Sequence, residues 1–365
     1  MKPISAVIVT VCLSTLSSPA YSRTWYVTPD STGDAPTIRA AIDSAEVGDE
    51  VLVAPGTYTW SNQVGAEPDW TMISVQKEIW LPSVGGPGVT ILDAEEHANC
   101  VSIYTEGVDI QPTIEGFTIT GGAADVPYMG AGIVCSECSP TIRNNVITGN
   151  WPFQWGGGLW FHSAHPTLID NLITHNLAVD RGGGMYCQES ELSMFGNVFY
   201  DNVANDYGGA AYLNQTTGEI ENNTLLANAS QTGAAFYFTT SSSLTVISNI
   251  VAGSLSGPAL DCDGTSSISI TCNDLWDNAE GDGSCILGAD NFSADPKFCD
   301  FSAGDYHLYE SSPCAPDNSP DGCGLVGAFP VGCWETPLSP VGLILVMIGA
   351  GAIGSWKALR TRAER

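Results

Sequence analysis

The sequence predicts an all-β chain wound into a parallel β-helix of roughly nine to ten coils, and three observations carry that prediction. The first is a repeat: PTIRNNVITGN begins at Pro140, PTLIDNLITHN at Pro166, ELSMFGNVFYDN at Glu191, EIENNTLLAN at Glu219 and LTVISNIVAGS at Leu244. The second is the asparagine that sets its phase. Asn145, Asn171, Asn197, Asn223 and Asn249 fall 26 apart, Asn273 follows after 24, and Asn150, Asn176, Asn202, Asn228, Ser254 and Asn278 make a second column. The third is a wholly apolar column, Ile142, Leu168, Met194, Ile220, Val246 and Ile270. Each period holds about three alternating segments broken by Asn or Gly, which is strand and turn chemistry rather than helix. Three short strands per lap, with laps about 4.8 Å apart, put residues one period apart on top of each other. An Asn at each bend then tolerates a left-handed backbone and lends its amide to the laps above and below.

Composition agrees with one elongated domain. Of 365 residues, 40 are Gly and 21 are Pro, which suits a turn-rich β chain. The formal charge is −29, and within 23–336 six basic residues face 39 acidic ones. Such a surface repels nucleic acid and polyanionic sugars, and favours solubility, cations and neutral partners. No cofactor and no metal site is read from the sequence; calcium is the ion this surface would accept.

Residues 1–22 pair Lys2 with the apolar run Ile4 to Leu16 and end in the small residues Ala20 and Ser22, the pattern of a secretory leader. The mature chain is expected to begin near Arg23, outside the reducing cytosol. Next, Ile38, Ala41 and Ile42 stand at helical spacing, and Val51 to Val53 reads as a buried strand ended by Pro55-Gly56. A short helix here would cap the first coil's open end. The PTI-AAI, GD and VLVAPGTY elements, with IEGFTITGG at Ile114 and ADPKF and GDYHLYESSPC from Ala294 to Cys314, resemble the pectin-lyase-like superfamily over about 24–330. That resemblance implies a right-handed β-helix and is specific for fold rather than activity.

Between Tyr58 and Gln111 the period blurs, and IWLPS, GVTILDA and CVSIYT are candidate strands of two or three irregular coils. From Pro112 it is clear. Gly130, Gly156, Gly182, Gly208 and Gly233 head a column of small residues suited to a tight corner. Beyond those corners, if Leu159, Phe161, Met185, Cys187, Ala211, Leu213, Phe236 and Phe238 point inward, then Trp160, Tyr186, Tyr212 and Tyr237 point out. His162, Gln188, Asn214 and Thr239 form a polar row beside them. Such a strip either stacks on sugar rings or stacks on itself and stiffens the sheet.

Removing Cys12 with the leader leaves eleven cysteines, seven of them between Cys262 and Cys333. In an exported chain this predicts disulfides pinning an irregular C-terminal coil and cap, with one thiol left over. Cys135 and Cys138 read as a local cross-link, since no second ligand pair or βαβ context supports a metal or redox motif. The tail, 337–365, carries the apolar run Val341 to Trp356, extended by Ala358 and Leu359, and ends in Lys357, Arg360, Arg362 and Arg365. It is expected to reach the membrane as a helix over 341–359 with its basic end cytoplasmic. PLSPVG, the apolar run and the Arg cluster resemble the tripartite C-terminal sorting tails of bacterial exported proteins, though the leading motif is imperfect.

The superfamily resemblance implies that an enzyme must be weighed. Pectate lyases of the superfamily use acidic calcium ligands beside Arg or Lys, but Arg143 and Arg181 stand 38 residues apart at different phases. The Asn-Thr-Asp, Asp-Asp and Gly-His-Gly motifs of polygalacturonase-like members do not occur here. Asp261 and Asp263 share a strand face, which calcium or plain solvation explains. His162 and His175 fall on different columns. A carboxylate pair across neighbouring coils remains, with Glu189, Glu191, Asp201 and Asp206 as its candidates. Two functions follow. The first is an exported, envelope or surface rod, membrane-anchored or released, that presents its aromatic strip to a neutral glycan or another protein without catalysis. The second is a polysaccharide lyase or glycoside hydrolase working through an acidic pair.

Overall fold

A computed structural model describes residues 22–64, 70–123, 130–152 and 154–333. The tail with its expected helix, and all but the last residue of the expected leader, lie outside the described residues. No helix among those described is long and apolar enough to cross a membrane.

Three parallel sheets run the length of the molecule. The first has ten strands, from Thr24–Val27 to Ser267–Thr271; the second has nine, from Gly56–Thr59 to Asp274–Trp276; the third has eight, from Thr71–Val75 to Leu260–Cys262. The chain visits them in turn, so each strand pairs with the one a lap earlier and a lap later, as with Ile142 between Ile114 and Leu168. This is an all-β solenoid of about nine turns. The apolar column Ile142, Leu168, Met194, Ile220, Val246 and Ile270 is buried along the axis, and so are all eight residues expected to point inward from the third sheet.

The first asparagine column is a continuous hydrogen-bonded ladder, and the second is one from Asn150 to Asn228, broken where Ser254 replaces the amide. Asn171 Oδ1 accepts from the backbone N and Nδ2 of Asn145 at 3.1 and 3.2 Å, and the pattern repeats through Asn197, Asn223, Asn249 and Asn273. Asn291 closes this ladder at the last coil. One detail differs from expectation. The left-handed residue is the one before the ladder Asn: Asn144, Asp170, Gly196, Asn222, Ser248 and Cys272 have φ between 51° and 69°. That residue makes the bend, which leaves the Asn free to aim its amide plane into the stack. The glycine corners are as tight as expected: Gly182 has φ 67°, and a Cβ there would lie 2.3 Å from the Met185 carbonyl oxygen.

At the N-terminal end a helix at Ile38–Ser44, capped by Thr37, buries Ile38, Ala41 and Ile42 in the core. At the other end the cysteines pair as Cys262–Cys285, Cys272–Cys323 and Cys299–Cys333, with Cys135–Cys138 as the local link. Three thiols are free among the described residues rather than one: Cys100, Cys187 and Cys314 are buried, Cys100 and Cys187 as small fillers of the core and Cys314 with its thiol donating to Asp274. The C-terminal segment is also more than a cap. Strands Phe298–Asp300 and Asp305–Leu308 pair antiparallel, and Tyr306, Leu308, Cys314 and Val326 pack on the outward side of the second sheet against Val198, Leu226, Ile250 and Ala252. That sheet is apolar on both faces, so something had to cover it.

Candidate functional site

Trp160, Tyr186, Tyr212 and Tyr237 stand in register on neighbouring strands of the third sheet and point away from the axial core. They stack on one another: Tyr186 and Tyr212 lie 5.1 Å apart at 5°, and Tyr212 and Tyr237 lie 5.6 Å apart at 31°. The open strip imagined from alternation is not there, however. Tyr186 is 2% exposed and Tyr212 5%. In four successive coils the chain between the second and third sheets runs over this face, and Trp155, Arg181, Tyr207 and Thr232 bridge one another as a ladder above it. Trp155 lies flat on Tyr186 at 5.0 Å and 7°, and Tyr207 meets Tyr237 at 4.9 Å.

The polar row is partly turned inward to the same rings. The Tyr186 hydroxyl donates to Gln188 Oε1 at 2.6 Å, Asn214 Nδ2 donates to the Tyr212 hydroxyl at 3.4 Å, and His162 stacks beside Trp160 at 5.8 Å.

Arg181 is the centre of the outer layer. Its guanidinium carbon lies 5.4 Å from the Trp155 ring, 5.8 Å from Tyr207 and 5.2 Å from Tyr212, within cation–π range of all three. Asp180 holds it from the side, at 3.4 Å from Arg181 Nε, and accepts from Trp155 Nε1 at 2.9 Å. One coil on, Asp206 has its carboxyl held above the usual range by burial, and then by the charge of Asp180 and a hydrogen bond with it. Gln231 Nε2 donates to Asp206 Oδ1 at 3.3 Å. Burial raises the Tyr186 phenol well above its ordinary value, with Tyr212 adding to the effect and Arg181 offsetting part of it. Gln154 Oε1 and Trp160 Nε1 are buried without a hydrogen-bond partner, so this face carries unspent polar capacity.

Of the four acids put forward from the sequence, only Asp206 reaches this site. Glu189 lies at the opposite corner, between the third and first sheets, where it accepts from Gln188 Nε2 at 3.0 Å, and Glu191 opens the next strand of the first sheet and is exposed. Asp201 turns out of the second sheet and lies 3.5 Å from His175 Nε2. Asp180, Trp155 and Tyr207 were missed, although Trp155, Arg181 and Tyr207 are 26 residues apart, as are Asp180 and Asp206. The signal was outside the strands, in the connections. Arg143 is on the first sheet, paired to Glu115 at 2.7 Å, so the two arginines do occupy separate faces. Asp263 accepts from Thr240 N and Thr239 Oγ1, and those bonds outweigh burial and hold its carboxyl below the usual range. Asp261 is tied to the backbone N–H groups of Gly233 and Ser284. Among the described residues no group of three His, Cys, Asp or Glu is placed to hold a metal ion.

A family model for the right handed beta helix region matches residues 88–251. Among solved structures, the crystal structure of pectate lyase Pel9A is similar, with 13% identity over 87% of this chain and 97% of that one and a TM-score of 0.47. No curated protein matches the chain.

Proposed function

We propose that this pectin-lyase-like right-handed β-helix protein binds a neutral glycan along the outer layer of its third sheet and does not cleave it. The observation that carries the reading is the Trp155–Arg181–Tyr207 ladder, half-buried and rising one residue per coil. Trp155 and Tyr207 are two coils apart, about 10 Å along the axis at ~4.8 Å per coil. Aromatic rings at that interval, fringed by Gln154, Asp180, Asp206 and Gln231, offer stacking surface and hydrogen bonds to a chain of sugar rings laid lengthwise. A net charge of −29 favours a neutral chain over a polyanionic one.

The acidic pair argues against hydrolysis at this place. Two-carboxylate glycosidases hold their acids ~5–5.5 Å apart to retain, or ~6.5–9.5 Å apart to invert, leaving room for sugar or water. Here Asp180 is already engaged by Arg181 and by Trp155 Nε1, and Asp206 accepts from Gln231, so both carboxyls are taken up within the layer. The disulfides suit an oxidising compartment, which supports an exported rod, with 341–359 as its membrane attachment.

The test is a panel of neutral and acidic polysaccharides, read for co-sedimentation with the protein and for new reducing or unsaturated ends. Trp155→Ala and Tyr207→Ala are each expected to weaken binding about tenfold. Release of ends from any member of the panel would replace this reading with a lyase or glycosidase.

A further inference from the structure

The corner that follows each strand of the second sheet is built from a left-handed residue, and its column runs His175, Asp201, Ala227, Gly253, Asp277, with φ between 50° and 62°. Midway the side chains shrink to a methyl at Ala227 and to nothing at Gly253, where an added Cβ would meet no atom within 4 Å. The C-terminal segment passes over this gap without filling it. A cleft of about 720 Å³ results.

Trp276, Phe298, Phe301 and Tyr309 line it, and Trp276, Phe301 and Tyr309 remain 37%, 45% and 48% exposed on a face that is otherwise covered. Its charged groups are Asp277, Asp295 and Lys297, and the Lys297 ammonium is already held by the Ser311 carbonyl at 2.9 Å. Two carboxylates against one ammonium, with Asp295 Oδ1 also accepting from Lys297 N at 2.9 Å, and four rings make the cleft attractive to one kind of ligand. Ring faces are electrostatically negative, and an alkylated ammonium sheds its water at little cost. The strongly acidic molecule concentrates cations at its surface and repels anions, while a neutral group would donate hydrogen bonds to the acids but gain no charge attraction.

We propose that this cleft is a binding site for a small free organic cation of the alkylated ammonium class, separate from the face assigned to glycan. The structure assigns the rings to hold the alkyl groups and Asp277 and Asp295 to balance the charge.

The experiment titrates the full chain with choline and, in parallel, with its uncharged carbon isostere, in which tert-butyl replaces trimethylammonium, by calorimetry and by NMR. Choline is expected to bind about tenfold more tightly than the isostere, and to weaken as salt is raised. Asp277→Asn and Asp295→Asn should each lower choline affinity several-fold, and Trp276→Ala and Tyr309→Ala about tenfold, with melting curves matching the parent chain. Equal binding of choline and the isostere overturns the proposal and leaves only an apolar cleft. Absence of saturable choline binding overturns it too, as does binding that survives both aromatic substitutions. So does saturable binding of a neutral methyl glycoside that Trp276→Ala abolishes.

Discussion

The outer faces of the third and second sheets are both too apolar for water, and they are covered by opposite means. Over the third sheet each coil covers itself: the connection that carries Trp155, Arg181 or Tyr207 lies above the ring of its own or the next lap. Over the second sheet the cover comes from far along the chain, with Tyr306 and Val326 lying on Val198, Leu226 and Ile250. A periodic cover grows with the stack and needs no fastening beyond it. A cover drawn from the chain's end has to be tied down, and here it is tied by Cys272–Cys323, by the backbone bond from Gly327 N to Ser248 O at 2.8 Å, and by Asp274. The proposed glycan site lies on the first cover, and the proposed cation cleft lies where the second is incomplete.

The comparison breaks most sharply at the tether. Replacing Cys272 and Cys323 together by Ala opens a loop of 51 residues, worth about 4 kcal/mol in chain entropy. Hydrogen exchange should then quicken at Val198–Tyr200 and Thr224–Leu226 while the amides of 155–160 and 181–186 stay protected. If both faces lose protection together, the two covers are not independent.

Next in size is the buried acid. Asp274 is fully buried, accepting from Ala294 N at 2.9 Å and from the Cys314 thiol at 3.1 Å. Burial pushes its carboxyl up to about 6, with the Ala294 and Cys314 hydrogen bonds offsetting part of the rise. Because the folded value lies above the unfolded one, Asp274 stabilises the docked cover fully below about pH 4, and that contribution fades as pH rises through about 6. The swing is roughly 3 kcal/mol at most. Proteolysis of the C-terminal segment should therefore be faster at pH 7.5 than at pH 4.5, and Asp274→Asn should flatten the difference. A pH-independent rate in the parent chain would show that the carboxyl is not neutral when docked.

The smallest effect belongs to the self-covered face. Arg181→Met removes a half-exposed cation from three rings and one carboxylate, for a cost of about 1 kcal/mol in urea melts. The Asp206 carboxyl should then be pushed further above its ordinary value, since Arg181 now opposes that shift. A cost as large as the tether's would mean that Arg181 fastens its layer as the disulfide fastens the other.

The coils, both ladders and the direction of every third-sheet side chain from Leu159 to Phe238 were legible in the residues themselves, because stacking converts a spacing of 26 into contact. The N-terminal helix was legible for the same kind of reason, a local periodicity at Ile38, Ala41 and Ile42. Alternation says which way Tyr186 points but is silent on what lies above it. The layer above it, the pairing of the six C-terminal cysteines, the three left-over thiols and the flank cover depend on contacts such as Asp274 with Cys314, 40 residues away and in no register. A periodic chain writes its axial packing into its spacing; where the period stops, only the folded path of the chain decides which groups meet.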